Sequence, residues 1–367
     1  MRVLFLTPDV FGSYGGIARH CKIALKALTA PETTGVEGVD LIALMDPRGS
    51  RPESYYAGPR LRSYTACGGS RAELLRQTLS RMLRIRYDVV ITEHVNLSPL
   101  LLVSTLRSPR ARRVTIAHGV DTWVRLPPVR RMALQKSTIV VSVSEYTANV
   151  TSRVNHVQRG RVQLVYNCLD PALHAESSNV SVGHRDNSIL TVSRLWRSEN
   201  SKGHFEVLRA LPQVVEAIPD VTYHVVGDGD LRPDLQRATT ELGLERNVRF
   251  LGSVSDSALR QYYRRCAAYV MPSKWEGFGL VFLEAMVAGQ PVIAGDRDAT
   301  PEIVGDAALL VDPDDARGLA DAIIRVLSDD ALRKRLGAAG RARVESLFTY
   351  DRFRDRFLSV VCGAAAC

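Results

Sequence analysis

The sequence predicts an α/β protein made of two doubly wound, Rossmann-like domains that face each other across a central cleft. Three observations predict it. The chain has 367 residues, long for one α/β domain and suited to two. Short apolar runs alternate with helical patterns along its whole length, which is the βαβ signature. One polar, turn-rich stretch, SSNVSVGHRDNS at 177–188, interrupts that alternation near the middle and reads as a linker.

The strand candidates of the first half are Val3–Thr7, Leu41–Met45, Val89–Thr92, Val114–Ala117, Ile139–Val143 and Val162–Tyr166. Those of the second half are Ile189–Val192, Tyr223–Val226, Val248–Leu251, Tyr269–Met271, Val292–Ala294 and Leu309–Val311. Nearly continuous apolar runs of this kind suit parallel strands covered on both faces. The expected organisation is an N-terminal domain over 1–177, a linker over 178–187, a C-terminal domain over 188–346, and a terminal helix and tail over 347–367. Phe353, Phe357 and Val360 or Val361 recur at helical spacing, so that tail should pack as an amphipathic helix, crossing back to the N-domain.

Composition excludes several classes. A hydrophobic share of 46% and a charged share of 24% are ordinary for a soluble globular protein. No apolar run reaches the length of a membrane span. The opening MRVLFLTPDVFG lacks a small-residue cleavage site and runs into a Gly-rich loop, so it reads as a first strand rather than a signal peptide. Six scattered cysteines without a CxxC pair suggest neither zinc nor disulfides and fit a reducing cytosol. The net charge is +9, and between Arg60 and Arg161 eighteen Lys or Arg stand against five acids. That imbalance reads either as an anion-facing surface or as a solvated Arg-rich one. No nucleic-acid recognition motif accompanies it.

Ligands of open α/β sheets sit at the carboxyl ends of strands, and four sequence features fall there. The densest is Pro272–Gly289, PSKWEGFGLVFLEAMVAG. A strand ends, a Gly-rich turn follows, and a helix begins near Leu280 and stops by Gly289, a good C′ residue. Glu276 and Glu284 are eight positions apart; with Glu276 in the turn, both can face one ligand. Gly277 and Gly279 permit close backbone approach, and the helix N-terminus after them suits a diphosphate. The second feature is Val192–Gly203, where Arg194 closes a strand and Lys202 opens the next helix, two cations placed to hold a diphosphate. The third is FGSYGGIARH at 11–20, where Gly15 and Gly16 open a helix. The fourth is TIAHGVDTW at 115–123. There His118 ends a strand, and Asp121 either orients it or caps a turn.

EGFGLVFLE, its flanks, and the later Pro301–Glu302 loop resemble the E-x7-E region of the GT4 family of GT-B glycosyltransferases. The resemblance extends over nearly the whole chain, closely from Arg194 to Asp312 and loosely from Arg2 to Ser177. It implies a GT-B fold and retaining transfer of a sugar from a nucleotide diphosphate of UDP or GDP type, in polysaccharide or glycolipid synthesis. It implies that Glu284 binds the donor ribose, that Glu276 lies beside the donor sugar, and that Gly277, Phe278, Gly279 and Leu280 contact sugar and phosphate through their backbone. Arg194 and Lys202 would neutralise the leaving diphosphate in place of a metal, so no cofactor and no metal are expected. Gly15 and Gly16 would approach the donor phosphate or the acceptor, His118 the sugar near the reaction centre, and Val254 in FLGSVSD the base edge. VGDGD at 226–230 would turn near the base pocket. YNCLD at 166–170 departs from the family's NGVD through Cys168, which reads as a structural variant.

The implied partners are a nucleotide sugar and a glycan or glycolipid acceptor. RAELLRQTLSRMLRIR at 71–86 places Leu75, Leu79 and Met82 on one helical face with Arg76, Arg81 and Arg84 nearby. It reads either as a peripheral contact with anionic lipid at the inner membrane face or as an ordinary helix on the N-domain sheet. The rival to the enzyme reading is a non-catalytic sugar-nucleotide-binding protein of the same fold.

Overall fold

The structure, a computed structural model, describes residues 1–13, 15–105, 107–174 and 186–363. It divides into two compact units, Met1–Asp170 with Tyr350–Cys367, and Pro171–Thr349. The linker expected at 178–187 lies, apart from its last two residues, outside the described residues.

The first unit holds strands β1 (Arg2–Thr7), β2 (Gly38–Ala43), β3 (Leu61–Ala66), β4 (Val89–Thr92), β5 (Arg112–Ala117), β6 (Ile139–Ser142) and β7 (Val162–Leu164). All pair in parallel, in the order β3-β2-β1-β4-β5-β6-β7. Its helices are α1 (Gly16–Thr29), α2 (Arg71–Arg84), α3 (Pro99–Ser104), α4 (Pro128–Lys136) and α5 (Glu145–Asn155). The second unit opens with α6 (Pro171–His174) and holds β8 (Ser188–Val192), β9 (Thr222–Val226), β10 (Val248–Gly252), β11 (Ala268–Met271), β12 (Val292–Gly295) and β13 (Ala308–Val311). These are parallel too, in the order β10-β9-β8-β11-β12-β13. Its other helices are α7 (His204–Ala217), α8 (Arg232–Glu241), α9 (Asp256–Arg265), α10 (Leu280–Val287), α11 (Thr300–Val304), α12 (Ala316–Ser328) and α13 (Asp330–Leu347).

Each sheet runs outward in two directions from its first strand. The topological switch points are therefore β1/β4 and β8/β11, where open α/β sheets bind ligands.

Two strand expectations change. β3 is absent from the sequence reading because LRSYTA, with Arg62, Ser63 and Thr65, lacks an apolar run and is only partly covered, as an edge strand is. β2 starts and ends earlier than the apolar run Leu41–Met45. It contains Asp40, a charge that hides the strand pattern yet is buried and accepts from Tyr87 Oη at 2.8 Å.

The final helix, α14 (Tyr350–Cys362), belongs to the first unit. Phe353, Phe357, Val360 and Val361 enter the core beside Ile23 and Leu28 of α1, and the two phenyl rings stack at 5.3 Å. Each fully buried apolar side chain of this kind contributes roughly 1.5–3 kcal/mol. Arg356 Nε donates to the Leu164 carbonyl at 3.1 Å, fastening the helix to the end of β7.

On α2 the buried face is Leu74, Thr78 and Met82. Of the face Leu75, Leu79 and Met82, only Met82 is buried; Leu79 is half-buried and Leu75 exposed, as is Leu83. The helix starts at Ser70, whose Oγ accepts from the Glu73 N–H at 3.2 Å, half of an S-x-x-E capping box. No helix among the described residues is long and apolar enough to cross a membrane.

Candidate active site

In the second unit, two loops leave the switch point, one after β8 and one after β11. They are sewn together at a single carbonyl: Ser201 O accepts from Lys274 N at 2.8 Å and from Ser273 Oγ at 3.1 Å. The neighbouring Gly203 has φ +85°, and a Cβ there would lie 2.5 Å from the Pro272 carbonyl oxygen. Glycine is thus required both for the left-handed backbone and for the close crossing. This stitching sets Lys202 opposite Glu276, and Lys202 Nζ meets Glu276 Oε2 at 2.8 Å. Lys202 lies in the loop rather than opening the helix, since α7 begins at His204.

Glu276 is buried, and its other oxygen, Oε1, accepts from Phe278 N at 3.4 Å. Gly277, Phe278 and Gly279 are buried and Leu280 half-buried. The Phe278 ring packs edge-on against Phe348 at 5.7 Å, so its side chain anchors the turn. Gly279 caps α10 at φ +82°, where a Cβ would meet the Phe282 ring at 2.4 Å. α10 therefore begins at the carboxyl edge of the sheet, directly after the Glu276 turn, with its positive dipole end there. Glu284, one turn on, is buried, and its Oε2 accepts from Tyr263 Oη at 2.9 Å. The helix ends as the sequence predicts, with Gly289 at φ +73°.

Arg194 leaves β8 half exposed. Its Nη2 pairs with Glu199 Oε1 at 2.5 Å, and its guanidinium lies 4.8 Å from the Trp196 ring centroid. The two expected cations are therefore each held by a separate carboxylate, Arg194 by Glu199 and Lys202 by Glu276. The VGDGD segment braces this loop: Leu195 N donates to the Asp228 carbonyl at 3.0 Å and Arg197 N to Asp230 Oδ1 at 2.8 Å. Beneath it His204 is buried between Ser193 Oγ (2.7 Å) and Tyr223 Oη (3.0 Å). Burial, with help from the Lys202 charge, pulls its imidazole down to about 4. Val254 is half-buried in the turn before α9, and Ser255 caps that helix by accepting from Ala258 N at 3.3 Å.

In the first unit, Gly15 is the residue ahead of α1 and Gly16 its first residue. The loop before them is shaped by Asp46, in the loop after β2. Asp46 Oδ1 accepts from Val10 N at 2.9 Å and Gly12 N at 3.1 Å, and Oδ2 accepts from Phe11 N at 3.1 Å and Tyr64 Oη at 2.5 Å. No sequence motif points to Asp46, because its role depends on β2 lying beside β1.

His118 follows β5, its side chain nearly buried. Its Nε2 lies 2.7 Å from the Glu93 carbonyl oxygen, and its backbone N–H donates to Asp121 Oδ1 at 3.1 Å. Asp121 thus braces the turn rather than the imidazole ring. Burial, the His20 charge and His94 hold His118 well below the usual histidine range. Burial raises Asp121 to about 7 against the N–H groups that it accepts from. His20 on α1, Glu93 after β4 and His118 bring their ligand-type atoms within 4.8 Å of one another. The sequence reading passes over His20 and Glu93, since the three residues are far apart in the chain. Cys168 is buried and its thiol pushed well up by burial and Asp170, which suits packing and not nucleophilic chemistry.

The family profile "Glycosyltransferase Family 4" matches residues 14–173, and "Glycosyl transferases group 1" matches 176–343. The chain is a glycosyltransferase of family GT4. Similar to this GT4 enzyme is the GDP-mannose-dependent monoacylated α-(1-6)-phosphatidylinositol monomannoside mannosyltransferase of Corynebacterium glutamicum, 29% identical over 285 residues, covering 71% of this chain and 73% of that one. The phosphatidyl-myo-inositol mannosyltransferase of Mycobacterium tuberculosis is 41% identical over 156 residues, 40% of each chain. Among solved structures, Anabaena HepE in complex with UDP and glucose superposes with a TM-score of 0.75 at 20% identity, covering 98% of this chain and 99% of that one. Sucrose-phosphate synthase of Thermosynechococcus elongatus does so with a TM-score of 0.75 at 22% identity, covering 97% of each chain. These likenesses show the GT-B fold.

Proposed function

We propose that this GT4 enzyme transfers a mannosyl group from GDP-mannose to a glycolipid acceptor, with retention of anomeric configuration and without a divalent metal. The observation that carries the reading is the Lys202–Glu276 contact at the β8/β11 switch point, beside the start of α10. A cation, a carboxylate and a helix N-terminus grouped at a switch point suit an anionic nucleotide sugar, which supports the reading. The names of the relatives support the donor and the acceptor class, since both act on phosphatidylinositol-based lipids and the corynebacterial one uses GDP-mannose.

The chemistry follows from charge. As the glycosidic bond of the donor stretches, negative charge grows on the diphosphate and positive charge on the anomeric carbon. Lys202, set in advance by the loop stitching, would meet the first together with Arg194 and the α10 amides, and preorganised donors act most strongly where charge develops. Glu276, held by Lys202, would lie beside the sugar. Glu284 would accept from the ribose hydroxyls while Tyr263 fixes its carboxylate.

On α2, the exposed Leu75 and Leu83 alternate with the exposed Arg71, Arg76 and Arg84. The helix thus packs on the sheet with one face and presents an amphipathic, basic one outward, which supports contact with an anionic lipid surface.

The test is transfer from GDP-mannose to lipid extract with excess chelator, with the anomeric configuration read by NMR. Mannolipid formed at an undiminished rate with the α configuration is expected. Tight GDP binding without hydrolysis or transfer would instead leave a non-catalytic nucleotide-binding protein.

A further inference from the structure

The cluster behind His118 has a second, deeper layer. His20 is buried on α1, and its Nδ1 lies 2.7 Å from Asn167 Oδ1. An amide oxygen only accepts, so Nδ1 carries a hydrogen. That orientation turns Nε2 toward the fully buried Glu93, 3.2 Å from Oε2. A neutral ring would set its lone pair against an ionised Glu93, and neither Nε2 nor either Glu93 oxygen has a hydrogen-bond partner to relieve that contact. A second proton on Nε2 removes that conflict and makes the 3.2 Å contact a buried ion pair. The shift agrees in direction: burial pulls His20 down, but Glu93 and Asn167 outweigh it and leave it above the ordinary range. The Phe353 and Phe357 rings lie edge-on to the imidazole at 5.6 and 6.5 Å, shielding the pair with α14.

Glu93 also reaches His118 through its backbone. Its carbonyl, again only an acceptor, faces His118 Nε2 at 2.7 Å, while its Oε2 stands 3.8 Å from the same nitrogen. The His20 and His118 rings meet edge-on at 4.9 Å. The other titratable groups around the cluster are Cys21 on α1, and His94 and Asp121 on the loops after β4 and β5. His94 Nδ1 accepts from Asn96 N at 3.0 Å, and its Nε2 is 3.9 Å from Asp121 Oδ2.

We propose that the His20–Glu93 ion pair is a positioning device for His118. It holds the Glu93 carbonyl against Nε2, so that His118 is the neutral Nε2–H tautomer with Nδ1 as a lone-pair acceptor. A positive His20 also disfavours a second proton on His118. His118 then binds a hydroxyl donor, such as a sugar hydroxyl, and not an anion. This rests on the reading of His118 as a residue near the reacting sugar.

The experiment uses the full chain in four forms: wild type, Glu93→Gln, the charge-free double variant His20→Gln/Glu93→Gln, and His118→Phe. The ring nitrogens of ¹⁵N-labelled histidine are followed by NMR, with kcat and KM measured for GDP-mannose between pH 5 and 8. The wild type should show His118 as Nε2–H throughout and His20 protonated on both nitrogens at neutral pH. In the double variant His118 should titrate at higher pH, carrying the acid limb of kcat with it. A misplaced ring should lower kcat about 10²-fold with KM little changed. An unchanged His118 tautomer and pH profile in both Glu93 variants would overturn the proposal. So would stoichiometric zinc lost on Glu93→Gln, which would make the cluster a ligand set. If His118→Phe leaves turnover intact, the reading of His118 fails, independently of the pair.

Discussion

Lys202 Nζ and Glu276 Oε2 are 2.8 Å apart although 74 residues separate them in the chain. The contact exists because the loops after β8 and β11 leave adjacent parallel strands and share the Ser201 carbonyl. It places a cation and a carboxylate at the crevice where strand order reverses.

Removing the cations tests that placement directly. Lys202→Met and Arg194→Ala should each lower kcat by about 10²–10³-fold, the usual effect of deleting one preorganised charge-stabilising donor. Folding should survive Arg194→Ala, since partly exposed ion pairs such as Arg194–Glu199 contribute about 1 kcal/mol or less. Near-normal transfer by either variant, measured with GDP-mannose at saturation, would remove that residue from the site.

Glu284 separates binding from chemistry. Glu284→Ala should raise KM for the donor by about 10- to 100-fold, since hydrogen bonds to a charged group contribute about 1.5–3 kcal/mol, with a smaller change in kcat. Tyr263→Phe, which removes the 2.9 Å bond that orients the carboxylate, should raise KM less. Calorimetric titration with GDP provides the check, and equal affinities for wild type and Glu284→Ala would exclude the ribose role.

Asp121 makes stability fall with pH. Burial raises its carboxyl to about 7, above the unfolded value of about 3.9. Between those values the folded protein binds more protons than the unfolded chain, so stability from this group declines as pH rises from about 4 to about 7. His94 and His204, both held near 4 chiefly by burial, act oppositely. They gain stability as pH rises from about 4 to about 6.5, in wild type and variant alike. Asp121→Asn keeps the acceptor for the His118 N–H and cannot ionise. The variant should therefore gain a few kcal/mol on wild type between pH 5 and pH 8. Urea midpoints at the two pH values measure it, and parallel curves would contradict the raised carboxyl.

Exposed Leu75 and Leu83 on α2 give the lipid-surface reading its own test. Vesicles containing anionic phospholipid should pellet the wild type at low salt and release it as salt rises. The variant Arg76→Glu/Leu83→Ser should remain in the supernatant while its melting temperature holds, because neither side chain is in the core. Equal binding of the variant would move any lipid contact to another surface.

How much of this was legible in the sequence depended on residue type and neighbours. Apolar runs such as Val89–Thr92 identify strands because parallel strands are covered on both faces. β3 escaped because an edge strand keeps polar residues, and Asp40 blurred β2 because its partner, Tyr87, comes from elsewhere. The glycines at 279 and 289 marked the start and end of α10, since positive φ leaves few alternatives. Asp121 stayed ambiguous between ring and turn until its oxygen was seen on the His118 N–H.

The sequence by itself determined the α/β alternation, the turn chemistry of WEGFG, and the residue types that can hold a diphosphate, because these follow from local propensity and spacing. Only the tertiary structure decided that Lys202 meets Glu276, that Arg194 is held by Glu199, that Asp46 shapes the glycine loop, and that His20 and Glu93 underlie His118. Those relations join residues on different strands and loops. Sheet order and register set their distances, and no local pattern in the chain encodes either.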